Sequence, residues 1–294
     1  MFLIKKNSYR LKTKDGSLHY IESRGQGPAL IMVYGIACQM NHWVHQIKYL
    51  SKHFQVITYD LRGHMKSSVG DPSKLTVSGL AEDVLEIMDF LKLPEAHFAG
   101  HSFGVPILLD FASRFPQHVT SLSLINGFAS NPLENFMGFN LPNLLLPIFN
   151  GLNQEDSSAL QSVWSKFVDN PLAVLVSGAS GGFNLDVTQL KDIEIYTRGV
   201  AHLDLNVFLP LFESLVQYNG FSHCSKISTP TLIVGGDRDR ITPIKFQYEM
   251  HKLIKNSVLT IVPYGSHCCQ LDFPNYVNLL IQKHVEENQQ RLLA

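Results

Sequence analysis

Residues 95–112 limit how this chain can fold more sharply than any other stretch, because they place a Gly-x-Ser-x-Gly turn between two differently patterned segments. Glu95-Ala96-His97-Phe98-Ala99 is short and partly apolar and reads as a strand. Val105-Pro106-Ile107-Leu108-Leu109-Asp110-Phe111-Ala112 reads as a helix. Between them lie Gly100-His101-Ser102-Phe103-Gly104. The two glycines lack Cβ atoms, so the chain can turn sharply and hold the Ser102 hydroxyl clear of the backbone. This is the pattern of a nucleophile elbow, and it requires a β–α unit in a sheet covered by helices. Five residues can match by chance, so the weight of the motif rests on a base, an acid and oxyanion donors elsewhere in the chain.

The flanking sequence supplies the sheet. Leu18-His19-Tyr20-Ile21-Glu22, Ala29-Leu30-Ile31-Met32-Val33-Tyr34 and Phe54-Gln55-Val56-Ile57-Thr58-Tyr59 read as strands, the second a continuous apolar run suited to a buried position. Trp43, Ile47 and Leu50 fall at helical spacing, and residues 80–91 form an amphipathic helix with Val84, Leu85, Met88 and Leu91 on one side. Ser121-Leu122-Ser123-Leu124-Ile125 is a further strand. From Phe128 to about Phe221 strand alternation disappears, with Asn, Gly and Pro breaks and helical patches such as 160–168. Strand and helix signals resume with Thr231-Leu232-Ile233-Val234, residues 244–254, residues 257–262 and a final helix from about Asn275. The expectation is an α/β fold: a mostly parallel sheet flanked by helices, formed by residues 1–127 and 222–294, with 128–221 inserted as a helical cap over the carboxyl edge.

Composition narrows the function classes. Of the 294 residues 45% are hydrophobic and 17% charged, which describes a globular chain with ample core material. A formal net charge of −1 gives no electrostatic case for nucleic acid or an anionic membrane. No apolar run approaches the roughly 20 residues of a membrane span. Met1-Phe2-Leu3-Ile4 is followed at once by Lys5 and Lys6, the reverse of a signal peptide's order. Cys38, Cys224, Cys268 and Cys269 make no disulfide framework and favour a reducing cytoplasm.

A serine hydroxyl needs a base within hydrogen-bond reach, itself oriented by a carboxylate. Tyr264-Gly265-Ser266-His267 follows the last strand and Gly235-Gly236-Asp237-Arg238-Asp239 the one before, so His267, an aspartate and Ser102 share one sheet edge. Asp237 and Asp239 lie two apart on a loop, and spacing alone admits either. The chain order is Ser, Asp, His.

On these residues the chain resembles the α/β-hydrolases over nearly its full length. Asp60-Leu61-Arg62-Gly63-His64-Met65-Lys66-Ser67 is similar to the family's Asp-x-Arg-Gly-x-Gly-x-Ser stretch, with Met65 where glycine is usual. Residues 236–243 resemble its Gly-x-x-Asp-x-x-x-Pro acid loop, and 267–274 its histidine loop, with Asp272 and Pro274 in place. The resemblance implies a triad of Ser102, Asp239 and His267, with Asp237 a turn or solvated residue. Some relatives carry the acid after the preceding strand, but here that position is about Asn126, which cannot supply an anion. The family's His-Gly after the third strand is replaced by Tyr34-Gly35-Ile36. The backbone N–H groups of Ile36 and Phe103 are then the substrate-facing oxyanion donors.

His101, His64, His42 and His45 read as packing or hydrogen-bonding residues; His42 and His45 lack a Cys or carboxylate at metal-ligand spacing, and nothing calls for a metal or cofactor. Cys268 and Cys269 read as small apolar fillers behind the histidine loop, Cys38 as pocket lining, and 141–149 as a cap element packing on the pocket. The only basic residues between Phe128 and Gly220 are Lys166, Lys191 and Arg198, which favours a neutral, fairly apolar carboxylic ester or lactone over a phosphate, coenzyme A or dicarboxylate. A carbon–carbon bond hydrolase or a perhydrolase would use the same triad. A small-ligand-binding protein that kept the fold without turnover is the reading from another class.

Overall fold

The computed structural model describes residues 6–134, 157–169, 176, 178 and 180–293. The strands among the described residues are β1 (Lys6–Lys12), β2 (Leu18–Arg24), β3 (Ala29–Val33), β4 (Gln55–Tyr59), β5 (Ala96–His101), β6 (Val119–Ile125), β7 (Thr231–Gly236) and β8 (Ser257–Val262). They form one sheet in the order β1-β2-β4-β3-β5-β6-β7-β8. β1/β2 and β2/β4 are antiparallel, and every neighbouring pair from β4 to β8 is parallel. The α/β class and the mostly parallel sheet are therefore as the alternation of the sequence requires.

The central strands are apolar or small at nearly every position because helices cover both faces of a parallel sheet. All six residues of β5 and all six of β7 are buried. β1 has no such signature: Lys-Asn-Ser-Tyr-Arg-Leu-Lys is mostly polar, and only Leu11 is buried. It is an edge strand held by backbone pairing to β2. That is why sequence patterning does not reveal it.

Helix α1 (Val44–Leu50) follows a short 3-10 turn, Met40–Trp43, and buries Ile47 and Leu50 beside Trp43. In α2 (Val77–Leu91) the Thr76 side chain accepts the Gly79 N–H at 3.0 Å, and the helix stops at Lys92 with φ 55°. Its buried stripe is Val77, Leu80, Ala81, Val84, Ile87 and Met88, while Leu85 and Leu91 are only partly buried at the stripe's edge. Val84 and Met88 thus lie on the buried face as the sequence suggests, and that face also takes in Val77, Leu80, Ala81 and Ile87. Helix α3 (Gly104–Arg114) leaves the elbow and buries residues 104–112.

Between β6 and β7 the described residues form helices α4 (Ser157–Val168), α5 (Leu190–Ala201), α6 (Leu205–Gln217) and α7 (Phe221–Lys226), joined by irregular segments. The segment's two ends meet: Ser130 and Asn219 form an antiparallel bridge, and the Gly220 N–H donates to the Ala129 carbonyl at 2.7 Å. The apolar run 141–149 lies outside the described residues. Helices α8 (Lys245–Leu253), α9 (Cys269–Asp272) and α10 (Pro274–Leu293) complete the chain. Among the described residues no single helix is long and apolar enough to cross a membrane.

The strand order fixes where a ligand can sit. β3 is flanked by β4 on one side and β5 on the other, so the chain changes direction across the sheet at β3. The crevice outside the carboxyl ends of β3 and β5 is the position where open α/β sheets bind ligands. Gly35 follows β3 there and Ser102 follows β5.

The junction of α3 with β3 tolerates no side chain at Gly104, where a Cβ would lie 2.3 Å from the Val33 carbonyl oxygen. Gly104→Ala should lower stability by about 2–3 kcal/mol or prevent folding, read as a fall in Tm or loss of soluble protein.

Candidate active site

Ser102 sits on a strained turn. Its φ is 54°, its N–H donates to the Ile125 carbonyl at 3.1 Å, and its carbonyl accepts from the Val105 N–H at 2.9 Å. A non-glycine residue in the left-handed region costs free energy, and here the packing on both sides imposes it. A Cβ at Gly100 would meet Leu108 Cδ1 at 2.8 Å, and one at Gly35 would lie 3.0 Å from Ser102 Cβ. Both glycines therefore permit close approach, and Gly35 lets the loop after β3 come up against the serine.

The loops after β5, β7 and β8 converge. Ser102 Oγ is 2.9 Å from His267 Nε2, and His267 Nδ1 is 2.9 Å from Asp239 Oδ2. A proton on Nδ1, donated to the carboxylate, leaves Nε2 as an acceptor for the serine hydroxyl. Asp239 is buried and satisfied at both oxygens. Oδ1 accepts the N–H groups of Ile241 and Thr242, each at 2.8 Å. Oδ2 accepts the Asn126 side-chain amide at 2.7 Å and lies 2.7 Å from the Thr242 hydroxyl. Burial pushes the Asp239 carboxyl up, but His267 beside it and the bonds from Thr242 and Asn126 more than offset this, so it stays below the ordinary carboxylate value. Asp237 is exposed on the same loop. Asn126, at the end of β6, donates to the Asp239 carboxylate and does not take its place beside His267.

The loop after β3 is a tight turn in which the Cys38 N–H donates to the Gly35 carbonyl at 3.2 Å, with Ala37 at φ 60°. Ile36 occupies its first central position and is half-buried. Neither the Ile36 nor the Phe103 N–H has a hydrogen-bond partner among the described residues. The Tyr34 ring is fully buried, and its hydroxyl accepts the Leu61 N–H at 2.8 Å and lies 3.5 Å from Asp60 Oδ1. His64 donates from Nδ1 to the Arg62 carbonyl at 3.0 Å and accepts the Ala37 N–H at Nε2, at 3.2 Å. Burial lowers the His64 pKa to about 4, consistent with this neutral form. The stretch after β4 therefore supports the loop after β3 at two points. Met65, at the position where glycine is usual, takes φ 46° and is exposed.

Sequence reasoning missed the segment that grips the histidine loop. The His267 N–H donates to the Gly181 carbonyl at 2.9 Å and the Cys268 N–H to the Gly182 carbonyl at 3.0 Å. The Asn184 side chain donates to the Tyr264 carbonyl at 2.8 Å. Asp272 joins the two segments, accepting from the Ser266 N–H at 2.7 Å, the Asn184 N–H at 3.2 Å and the Thr188 hydroxyl. A Gly-Gly pair followed by Asn signals a turn at 181–184, but nothing local names the partner.

The other histidines divide as follows. His45 Nε2 is 2.8 Å from Asp192 on α5, while His42 Nε2 is 3.2 Å from His101 Nδ1, so His42 and His45 do not share a partner. The His101 Nε2–H donates to the His267 carbonyl at 2.8 Å, and its ring packs on that of His267 with centroids 4.9 Å apart. Burial lowers the His42 pKa to about 3 and that of His101 well below its usual value. Cys268 and Cys269 are buried, and the Cys269 thiol donates to Asn126 Oδ1 at 2.8 Å. Cys38 is also buried, beside Gly35.

Comparison with known proteins agrees with this architecture. A family model described as the alpha/beta hydrolase fold matches residues 28–274. A protein of Agrobacterium fabrum named as a carbamate hydrolase, RutD, is 27% identical over 255 residues, covering 86% of this chain and 91% of that relative. Among solved structures, a hydrolase from Pseudomonas aeruginosa superposes with a TM-score of 0.76 at 24% identity, covering 95% of this chain and 98% of the other. The enol-lactonase of Burkholderia xenovorans gives a TM-score of 0.74 at 19% identity, covering 95% and 100%. Likenesses at these identities show the fold.

Two expectations follow. Asp239→Asn should cut kcat by about 10⁴-fold through loss of the correct His267 tautomer, while Asp237→Asn leaves it within a few-fold; steady-state kinetics on a short-chain ester checks both. Asp60 is pushed up to about 6 by burial, against the bonds from Lys66 N–H and Tyr34. Its folded pKa exceeds the unfolded value, so between pH 4 and 6 the folded state holds the extra proton and stability falls as pH rises. Asp60→Asn removes that fall: its Tm should gain on wild type from pH 4 to pH 7, by at most about 3 kcal/mol of stability.

Proposed function

Because the chain belongs to the alpha/beta hydrolase fold family, we propose that it is a serine hydrolase that cleaves neutral, fairly apolar carboxylic esters or lactones through an acyl-enzyme. The observation that carries this reading is the continuous Ser102–His267–Asp239 chain, with both links at 2.9 Å.

His267 takes the hydroxyl proton as Ser102 attacks the carbonyl carbon, and Asp239 stabilises the imidazolium that forms. The free N–H groups of Ile36 and Phe103 receive the developing oxyanion, where preorganised donors stabilise charge without reorganising. His267 then protonates the leaving group. A water deprotonated by the same imidazole attacks the acyl-enzyme, and collapse of the second tetrahedral intermediate returns the proton to Ser102. Residues 128–221 act as the cap that shapes the acyl and alcohol pockets. The basic side chains within that cap, Lys166, Lys191 and Arg198, are exposed, which supports a neutral substrate over an anionic one. The chemistry needs no cofactor and no nucleic-acid partner, and the four unpaired cysteines fit a reducing cytoplasm.

The relatives named as carbamate hydrolases add one substrate class to be tested. A carbamate presents the same electrophilic carbonyl to the same serine, but its nitrogen lone pair makes it less reactive. Esters and lactones should therefore turn over faster.

An active-site fluorophosphonate should label the wild type and leave Ser102→Ala unlabelled, and labelling that survives Ser102→Ala would overturn the serine mechanism. On a panel of esters, lactones and carbamates of graded chain length, Ser102→Ala should lower kcat by about 10⁴–10⁶-fold. Carbamates outpacing every ester would reassign the substrate class. Absence of labelling and of turnover in wild type would leave a binding protein on this fold.

A further inference from the structure

We propose that His42, His101 and Cys268 bind one thiophilic cation of the Zn2+ class, seated directly behind His267. The three side chains are buried, and one donor atom from each lies within 4.8 Å of the other two. None of the three is required for the chemistry proposed above. They come together from three places: the 3-10 turn before α1, the end of β5, and the loop after β8.

The hydrogen-bond arithmetic at this point favours a cation. His101 donates its Nε2–H to the His267 carbonyl at 2.8 Å, so its Nδ1 presents a lone pair towards His42. A bond from the far nitrogen to a carbonyl is also the outer support that metal-ligating imidazoles use. His42 Nε2 is 3.2 Å from that lone pair and 2.6 Å from the side-chain amide of Gln270. If Gln270 donates its N–H there, His42 Nε2 is a lone pair too, and two lone pairs face one another across the gap. If the amide is turned over, His42 Nε2 carries a proton that Gln270 Oε1 or His101 Nδ1 accepts, and a cation would take the place of that proton, with Gln270 Oε1 as a further oxygen ligand. The first arrangement leaves two lone pairs facing one another, and the second exchanges one proton for the metal. His42 Nδ1 and Gln270 Oε1 are buried without a hydrogen-bond partner among the described residues, so protein groups alone do not satisfy the cluster.

Size and access are compatible. A tetrahedral zinc site with bonds of about 2.0–2.3 Å spaces its donors about 3.3–3.8 Å apart. The two imidazole nitrogens already approach that spacing, and the longest donor separation needs to shorten by about 1 Å. Two imidazoles and a thiol suit a soft or borderline d10 ion better than Mg2+ or Ca2+. A small crevice lined by Gln39, Asn41, Asp192, Tyr196 and Leu271 borders His42. Binding releases the Cys268 thiol proton to solvent and leaves the thiolate on the metal.

The functional consequence rests on the hydrolase reading. Cys268 follows His267 in the chain, and His101 holds the His267 carbonyl and packs on its ring. Drawing both towards a metal shifts His267 from its 2.9 Å contact with Ser102, so the bound ion is an inhibitor.

Cobalt(II) titrated into the full-length protein reports the site. We expect one equivalent to give a thiolate-to-cobalt charge-transfer band with the visible spectrum of four-coordinate cobalt, both displaced by Zn2+. Cys268→Ser should abolish the band, His42→Gln should weaken binding at least about tenfold, and Cys38→Ser should retain it. A wild type without a thiolate band, or a band that survives in Cys268→Ser, overturns the site. Zn2+ should also slow ester hydrolysis reversibly, with chelation restoring the rate and Cys268→Ser escaping inhibition. A cobalt band of the expected kind in a protein that hydrolyses no substrate would sink the hydrolase reading and leave the metal site standing.

Discussion

The contact between the ends of β3 and β5 is the constraint on which the rest of the site depends. Gly104 lies against the Val33 carbonyl, with no space for a Cβ, and Gly35 against Ser102, where a Cβ would be crowded at 3.0 Å. Two adjacent parallel strands normally keep the loops at their ends apart by the width of their side chains. Here that separation is removed, so the turn after β3 and the elbow after β5 meet at the change of direction in the sheet. The positive φ of Ser102 follows from the same geometry, because the chain must leave β5 and enter α3 without moving away from β3.

His267 is held by a different principle. Ser102 is fixed by the sheet, whereas the His267 backbone is tied to Gly181 and Gly182 in the segment between β6 and β7. Asp272, with a carboxyl that burial raises above its ordinary value, binds that segment at Asn184 and Thr188 and the histidine loop at Ser266. His267 is therefore positioned partly by residues far from the core in sequence. A displacement of 181–188 would change the His267 orientation before it disturbed the sheet, since no strand pairs with that segment.

The parts of this architecture visible in the sequence are those whose cause is local. The elbow is local because glycines flank Ser102, and β3 and β7 because burial on both faces leaves apolar or small residues. Family resemblance alone separates Asp239 from Asp237 in the sequence; in the structure the first is buried against His267 and the second is exposed. What escaped has its cause elsewhere in the chain. β1 is mostly polar and exists through pairing with β2. Tyr34 finds Leu61 at a separation of 27 residues, and His42 finds His101 at 59. Periodicity carries no information about such partners, and so the histidines read as unconnected packing residues.

The replacement of the usual histidine by Tyr34 illustrates which feature of the loop matters. Ile36 is the first central residue of the turn closed by Gly35 and Cys38, and Phe103 holds the same position in the turn closed by Ser102 and Val105. The N–H at that position takes no part in a β-turn's own hydrogen bond. Both free donors thus arise from turn geometry, which no single side chain specifies. What a side chain must supply is anchorage. Tyr34 does so through Leu61, and His64 does so through Ala37, on either side of Ile36. With both neighbours fixed, the Ile36 N–H is held in place between them.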